Sequence, residues 1–153
     1  MLTKLRLENF KSFKEAELTL GPLTLLVGAN ASGKSNLRDA LRFLSGIAHG
    51  YGLSDVFGGV LVGTGEYLWP GLRGGIREVT FQQAPTFALE VSFPIKVDTG
   101  EHEATYRIEV EVGQGGKVPR IVAERLRREG YGDFVFDTHP STSRISKIES
   151  APG

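Results

Sequence analysis

Residues 28–35, Gly-Ala-Asn-Ala-Ser-Gly-Lys-Ser, combine residue types and a spacing that point to a definite chemistry. They match the pattern G-x-x-x-x-G-K-S/T, in which backbone N–H groups of a glycine-containing loop surround a phosphate group. Gly28 and Gly33 allow backbone angles and close approaches that a side chain would block. The Lys34 ammonium would reach the outer phosphates, and the Ser35 hydroxyl would bind Mg²⁺. The segment therefore predicts a phosphate-binding loop.

The residues on either side of the loop predict the two elements that must position it, a buried strand before it and a helix after it. Residues 23–27 are a short apolar run without alternation, which is typical of a strand buried on both faces. After the loop, apolar residues recur at helical spacing on one face, and Asp39 lies off that face. The apolar positions are Leu37, Ala40, Leu41, Leu44 and Ile47. We therefore expect a helix that begins near Ser35 and ends between Gly46 and Gly50.

A β-hairpin is predicted ahead of the loop. Residues 4–8 and 15–20 alternate between polar and apolar side chains, and residues 9–14 would join the two strands. With the phosphate-loop strand and helix, these residues give an α/β fold of the P-loop NTPase class, with residues 1–48 as its nucleotide-binding core.

The remaining residues predict three further segments. Residues 49–75 are rich in glycine and indicate an irregular loop, either without secondary structure or with a short turn of helix. Trp69 within it is either a local core residue or an anchor for another part of the protein. Residues 76–137 alternate with a period of two, which predicts an antiparallel β arm of the same lobe. Residues 138–153 are rich in Ser, Thr and Pro and are expected to form a flexible tail.

The composition excludes several classes of protein. Lys and Arg total 18, and Asp and Glu also total 18, which argues against a protein that coats nucleic acid through bulk charge. The absence of cysteine excludes a disulfide scaffold, a zinc finger and a thiol nucleophile. The sequence contains neither an apolar run long enough to cross a membrane nor a signal-peptide pattern, so we expect a cytoplasmic protein that does not bind membranes.

The first 50 residues resemble the SMC/RecF-type ABC ATPases, including the RecF- and OLD-like AAA ATPases. Three segments carry the resemblance. Residues 7–13, Leu-Glu-Asn-Phe-Lys-Ser-Phe, resemble the element that ends the family's opening strand, and residues 21–27, Gly-Pro-Leu-Thr-Leu-Leu-Val, resemble its approach to the loop. Residues 28–36 resemble the family's version of the loop itself, with Asn30 and Asn36 at the positions where the family usually has asparagine.

This resemblance implies a protein that binds ATP together with Mg²⁺. Ser35 would be the metal ligand, and Lys11 and Ser12 would approach the adenosine or α-phosphate side, unless they form a plain exposed hairpin turn. The residues that the resemblance assigns to the nucleotide are Lys11, Ser12, Asn30, Ala31, Ser32, Gly33, Lys34, Ser35 and Asn36. It also implies a head-to-head arrangement with a second lobe of the same protein or a second ATPase subunit. The implied process is DNA maintenance or defence, with DNA as one conceivable ligand.

The sequence departs from this family because two motifs needed for hydrolysis are not found. Residues 134–137, Phe-Val-Phe-Asp, make a poor Walker B motif and favour a strand of the β arm, and residues 44–46, Leu-Ser-Gly, match the signature motif only by coincidence. Neither Gln82, Gln83 nor Gln114 can be assigned as the Q-loop glutamine. We therefore expect no catalytic residue in this chain, which would bind ATP without hydrolysing it, whereas the intact protein would be an ATPase.

Two other functions remain as alternatives. One is a stand-alone regulatory module that binds nucleotide without chemistry. The other is a small-molecule kinase, which the hairpin before the loop and the antiparallel arm after it disfavour.

A basic cluster and three histidines need separate interpretations. Either a solvated strand edge or a DNA-facing patch would explain the cluster, which consists of Lys117, Arg120, Arg125, Arg127 and Arg128. The histidines have no metal-like spacing and are interpreted as surface residues: His49, His102 and His139.

Overall fold

The computed structural model describes residues 1–98, 100–113, 115 and 117–130, together with the backbone of residues 134–138. In chain order its elements are β1 (Lys4–Phe10), β2 (Phe13–Thr19), α1 (Lys34–Ala48), α2 (Leu53–Gly58), β3 (Val60–Leu61), β4 (Tyr67–Trp69), β5 (Thr86–Val97), β6 (Gly100–Glu111), β7 (Arg120–Arg128) and β8 (Phe134–Thr138). Two 3-10 turns, Gly75–Glu78 and Phe81–Gln83, lie between β4 and β5.

Six of the strands form one antiparallel sheet in the order β2-β1-β5-β6-β7-β8. The β1–β2 hairpin therefore lies beside the long β5–β6 hairpin, so that the start of the chain and the β arm share one sheet. β3 and β4 form a separate two-stranded ribbon. With α1 packed against the sheet, this arrangement confirms the predicted α/β class, the hairpin, the phosphate-loop helix and the antiparallel arm.

The core lies between one face of the sheet and α1. Period-two alternation places Leu5 and Leu7 of β1 and Leu89 of β5 on this face, and all three are almost fully buried. Phe43 of α1 packs edge-to-face against Phe87 of β5, with ring centroids 5.3 Å apart. These apolar contacts fix α1, and with it the loop that precedes α1, on the sheet.

The phosphate-loop strand was predicted wrongly. Residues 23–27 lie outside every strand of the described chain, and the side chains of Leu23, Leu25 and Val27 are more than 80% exposed. A strand of this apolar type needs neighbours along both edges and a packed layer on both faces. The described strands pair within the antiparallel sheet and the β3–β4 ribbon, and none of them pairs with residues 23–27.

The glycine-rich segment has more structure than the sequence indicates. α2 and the β3–β4 ribbon lie within residues 49–75. The Trp69 indole N–H donates to the Val56 carbonyl at 3.3 Å, and the Trp69 ring lies 5.4 Å from that of Tyr51. A Cβ on Gly46 of α1 would come within 3.0 Å of both the Trp69 and the Val56 side chains. Trp69 is therefore partly buried and packs the segment against α1.

The opposite face of the sheet is charged and carries an ion pair that spans three strands. Arg107 of β6 donates to both carboxylate oxygens of Glu8 in β1, at 2.9 and 2.7 Å. The pair reaches across β5 because Ala88, the β5 residue opposite Glu8, has a small side chain. Hydrogen bonding from Arg107 lowers the pKa of Glu8 below its ordinary value.

We expect Glu8→Gln to lower the free energy of unfolding by about 1 kcal/mol at pH 7, because the pair is bidentate and mostly shielded from water. The native pKa of Glu8 is depressed, so this stabilisation is complete above the ordinary glutamate pKa and is lost as the pH falls through the native pKa. Urea unfolding at pH 7 and at an acid pH should show a difference that shrinks in acid. Glu17→Gln is the matched control, since the Lys4–Glu17 pair is about half exposed, and an equal loss in both variants would contradict the prediction.

Among the described residues, no helix has the length and apolar character needed to cross a membrane.

Candidate nucleotide-binding site

The N-terminus of α1 is the positive end of the helix dipole, and no acidic side chain in the first turn compensates it. Gly33 is the N-cap residue, with a φ of 91° that favours glycine, and no side chain caps the helix. Its carbonyl accepts hydrogen bonds from the N–H groups of Asn36 and Leu37, at 2.9 and 3.1 Å. The first turn contains no acidic residue. The helix therefore presents its free N–H groups and its dipole to any anion held by the loop.

The phosphate-binding loop closes around the Lys34 ammonium. Lys34 Nζ donates to the carbonyl oxygens of Gly28 and Ala29, at 2.5 and 2.6 Å, and to Ser32 Oγ at 3.2 Å. A Cβ on Gly28 would come within 2.7 Å of Ser32 Oγ, so a side chain there would displace the Ser32 hydroxyl. Ala31 has a φ of 66°, which costs a non-glycine residue about 1 kcal/mol. The loop thus closes tightly around the Lys34 ammonium at the N-terminus of α1.

This donor set fits a polyphosphate with a divalent metal ion. Lys34 and the free N–H groups at the start of α1 supply positive charge and hydrogen-bond donors. Ser35 is exposed on the first turn of α1, where its hydroxyl is free to bind a metal. Within the described chain, no cluster of three or more His, Asp or Glu side chains could hold a metal without a ligand's help.

The hairpin turn between β1 and β2 contacts the start of α1. Ser12 Oγ accepts a hydrogen bond from Asn36 Nδ2 at 2.8 Å. The Asn36 side-chain carbonyl in turn accepts from Arg73 Nη2 at 3.1 Å. Asn36 therefore links the hairpin turn to the glycine-rich segment directly beside Ser35.

Lys11 points into the protein and not towards solvent. Its side chain is 7% exposed, donates to the Arg73 carbonyl, and lies 3.8 Å from the Asp39 carboxylate. Burial lowers the pKa of Lys11, and the charge of Asp39 opposes that shift. Lys11 also has a φ of 54°, and its backbone N–H donates to the Val79 carbonyl at 2.8 Å. These contacts hold a strained backbone conformation in place.

Asp39 is the centre of this network, and sequence reasoning missed it. It lies off the predicted apolar face of the helix, yet it is completely buried. Arg73 Nε and Nη2 both donate to its carboxylate, at distances between 2.8 and 3.3 Å, and these bonds raise the pKa of Arg73. The one sequence signal was an arginine among glycines, at Gly71, Arg73 and Gly74, which marks a side chain supplied by a turn.

The structure therefore places the predicted site residues in two neighbouring groups. Residues 28–36 surround the end of α1, and within them Asn30 and Ala31 are exposed. Lys11 and Ser12 contact Arg73, Asp39 and Asn36.

The basic cluster lies in a mixed-charge surface. β7 is paired by β6 on one side and, from Glu124 to Arg127, by β8 on the other, so the predicted strand edge is wrong for Arg125 and Arg127. Arg120 Nε donates to Glu111 at 2.5 Å. Arg125 and Arg127 lie on the charged sheet face with Lys4, Arg6 and Arg107, among the acidic residues Glu17, Glu90 and Glu103.

The remaining predicted features are placed as follows. Residues 134–137 lie in β8, antiparallel to β7, as expected for a strand of the β arm. Gln82 and Gln83 lie in a 3-10 turn with left-handed φ values of 45° and 60°. His49 Nδ1 lies 2.7 Å from the Ser45 carbonyl of its own helix. Gln114, His139 and the tail after Thr138 lie outside the described residues.

The antiparallel sheet, α1 and the loop before it define an α/β protein of the P-loop NTPase class. A family model described as "AAA domain, putative AbiEii toxin, Type IV TA system" matches residues 23–139, which is more than half of the chain. The chain belongs to this family of AAA-type ATPases.

Three individual proteins are also similar in sequence to this chain. The OLD nuclease of Thermus scotoductus is 39% identical over 146 residues, which cover 85% of this chain and 24% of that protein. The DNA replication and repair protein RecF of Chlamydia caviae is 49% identical over 45 residues, or 29% of this chain and 12% of that protein. The structural maintenance of chromosomes protein 1 of Arabidopsis thaliana is 46% identical over 52 residues, or 32% of this chain and 4% of that protein.

These matches confirm the resemblance to SMC, RecF and OLD proteins that the first 50 residues indicated. The chain spans no more than 24% of the length of these three relatives.

Proposed function

We propose that this chain binds ATP with Mg²⁺ through the loop at residues 28–36. The observation that carries the proposal is the Lys34 ammonium, held by loop oxygens at the uncapped and acid-free end of α1. Phosphate oxygens would replace the Gly28 and Ala29 carbonyls as acceptors for Lys34. A phosphate carries full negative charge, so each exchanged hydrogen bond becomes charge-assisted on both sides.

The other loop residues would complete the phosphate site. Backbone N–H groups from Asn30 to Ser35 would donate to the phosphates, and Ser35 Oγ would bind the metal ion, which neutralises phosphate charge when bound. Asn36 would line the site beside Ser35. Lys11 and Ser12, which contact Arg73 and Asn36 beside the loop, would approach the adenosine or α-phosphate side of the nucleotide.

We further propose that this chain alone does not hydrolyse ATP, and that hydrolysis belongs to the whole protein. Hydrolysis needs a side chain that orients the attacking water, which the family resemblance assigns to a carboxylate. Near the loop, Asp39 is fully buried and bound to Arg73, so it cannot serve. A second lobe of the same protein or a second ATPase subunit would supply the missing groups, with ATP between two heads.

The exposed run at residues 23–27 supports a covering partner. Leu23, Leu25, Leu26 and Val27 form a contiguous apolar stretch that leads directly into the loop. Exposed apolar stretches of this kind mark surfaces that other protein covers. The names of the relatives, which refer to DNA repair, chromosome maintenance and a nuclease, support a process of DNA maintenance or defence. DNA is proposed as a ligand on the basis of these names alone, because the charged sheet face carries residues of both signs.

Calorimetric titration with ATP, with and without Mg²⁺, tests nucleotide binding, and a phosphate-release assay on the same samples tests hydrolysis. We expect saturable binding that weakens when Mg²⁺ is removed, with no phosphate release above the rate of the buffer. Absence of binding would overturn the proposal. Steady phosphate release by the chain after purification to a single species would overturn the proposal that this chain alone does not hydrolyse ATP. Binding without hydrolysis even in the whole protein would favour a regulatory module.

A further inference from the structure

Phe13, the first residue of β2, lies against the phosphate-binding loop. A Cβ on Gly33 would fall 2.6 Å from Phe13 Cζ and 3.3 and 3.4 Å from the two Cε atoms. Because the two Cε distances are nearly equal, the ring points tip-first at Gly33. The contact therefore depends on both partners, a glycine without a side chain and an aromatic ring without a substituent at its tip.

The ring itself has a firm base. Phe13 pairs with Phe10 across the β1–β2 hairpin, and Phe10 is completely buried with its ring 5.4 Å from that of Phe87. The backbone beside it is fixed by the contacts of Lys11 and by the hydrogen bond from Asn36 to Ser12. The tip of the ring is thus held in one place relative to the sheet.

Gly33 is the point at which the loop becomes a helix. Its carbonyl accepts the first two hydrogen bonds of α1, and the next residue is Lys34. By contrast, residues 23–32 are exposed, and the backbone hydrogen bond found within the loop is the local one from Ser32 to Ala29, at 3.3 Å. A contact that fixes the position of Gly33 therefore also fixes the position of Lys34 and the direction of the loop N–H groups.

We propose that Phe13 is a positioning residue for the phosphate-binding loop, which it holds in register with the end of α1 through contact with Gly33. This inference rests on the proposed function, because it concerns the affinity of the same site. Phe13 does not touch the nucleotide. It acts on all ligands that use the loop through their phosphates.

Three substitutions at Phe13 separate positioning from simple burial. Phe13→Ala removes the contact with Gly33 and is expected to weaken Mg²⁺·ATP binding about tenfold or more, since small displacements of binding groups are costly. Phe13→Leu retains apolar bulk but ends short of the ring tip, so it should also weaken binding, although by less than alanine. Phe13→Tyr adds a hydroxyl at the ring tip, where Gly33 lies, and should weaken binding nearly as much as alanine. A merely structural role for a half-buried aromatic residue would tolerate tyrosine.

The test is calorimetric titration of each variant with ATP, ADP and pyrophosphate, at a temperature where circular dichroism shows every variant to be folded. Leu18→Ala is the matched control, because Leu18 is a half-buried residue of the same strand about 16 Å from Phe13 along β2. We expect the same fold-loss for all three ligands in the Phe13→Ala and Phe13→Tyr variants, and none in the control.

Wild-type affinity in folded Phe13→Ala and Phe13→Tyr variants would overturn the inference and leave the proposed function intact. Absence of binding by the wild type would overturn the proposed function and this inference with it. A loss confined to ATP and ADP, with pyrophosphate binding unchanged, would also overturn the inference, because it would place Phe13 at the nucleoside.

Discussion

Lys34→Ala is expected to weaken the binding of Mg²⁺·ATP about a hundredfold or more, because two charge-assisted hydrogen bonds to phosphate are lost. The same change removes the ammonium that draws the Gly28 and Ala29 carbonyls together. The loop then loses both its ligand contact and its internal tie. Calorimetric titration of the variant beside the wild type gives the affinity ratio directly.

Lys14→Ala is the matched control for this prediction, since Lys14 is an exposed lysine on β2 and its removal changes the net charge equally. It should bind as the wild type does. The free energy of unfolding should hardly change in Lys34→Ala, because the loop before α1 is exposed. Equal affinity in Lys34→Ala and the wild type would contradict the proposal that this loop binds nucleotide.

Asp39→Asn is expected to lower the free energy of unfolding by about 3 kcal/mol, since it leaves the buried Lys11 ammonium without its counter-charge. Lys11 is 7% exposed and cannot turn to water without leaving its pocket. Arg73 is 49% exposed and can be solvated, so most of the loss comes from Lys11. Urea unfolding at pH 7 measures the loss.

A double variant identifies the cause of this loss. Asp39→Asn combined with Lys11→Met removes both buried charges, so its destabilisation should be smaller than the sum of the two single losses by about 1 kcal/mol or more. Asp55→Asn provides the control for the amide itself, because Asp55 is exposed on α2. Strict additivity of the two single losses would show that Lys11 and Asp39 do not interact.

Residues with a repeating pattern were the ones that sequence could predict. The alternation at Leu5 and Leu7 predicted β1, and the 3.6-residue spacing from Leu37 to Ile47 predicted α1, because both patterns reflect burial against a neighbouring layer. The loop was predicted from Gly28, Gly33 and Lys34, whose types are set by close approach and charge and not by periodicity.

Residues whose environment comes from distant parts of the chain could not be predicted in this way. Asp39 is buried because Arg73 reaches it from a glycine-rich turn 34 positions away, and no periodicity marks such a partner. Apolar side chains at residues 23–27 predicted burial, but burial depends on neighbouring strands and not on the segment itself. Phe13 was part of the family resemblance, yet its contact with Gly33 is visible only once the hairpin and the loop are folded together.

The exposure of residues 23–27 has a consequence for the entropy of ligand binding. The approach to the loop has little packing in this chain, so a bound phosphate must fix backbone and side-chain angles that no neighbouring layer restricts beforehand. Where a protein layer covers this run, the same angles are fixed during folding, and the ligand is spared that loss of freedom. An affinity measured on these 153 residues therefore sets a lower limit for the covered site. The difference should be found in the binding entropy, with the binding enthalpy largely conserved.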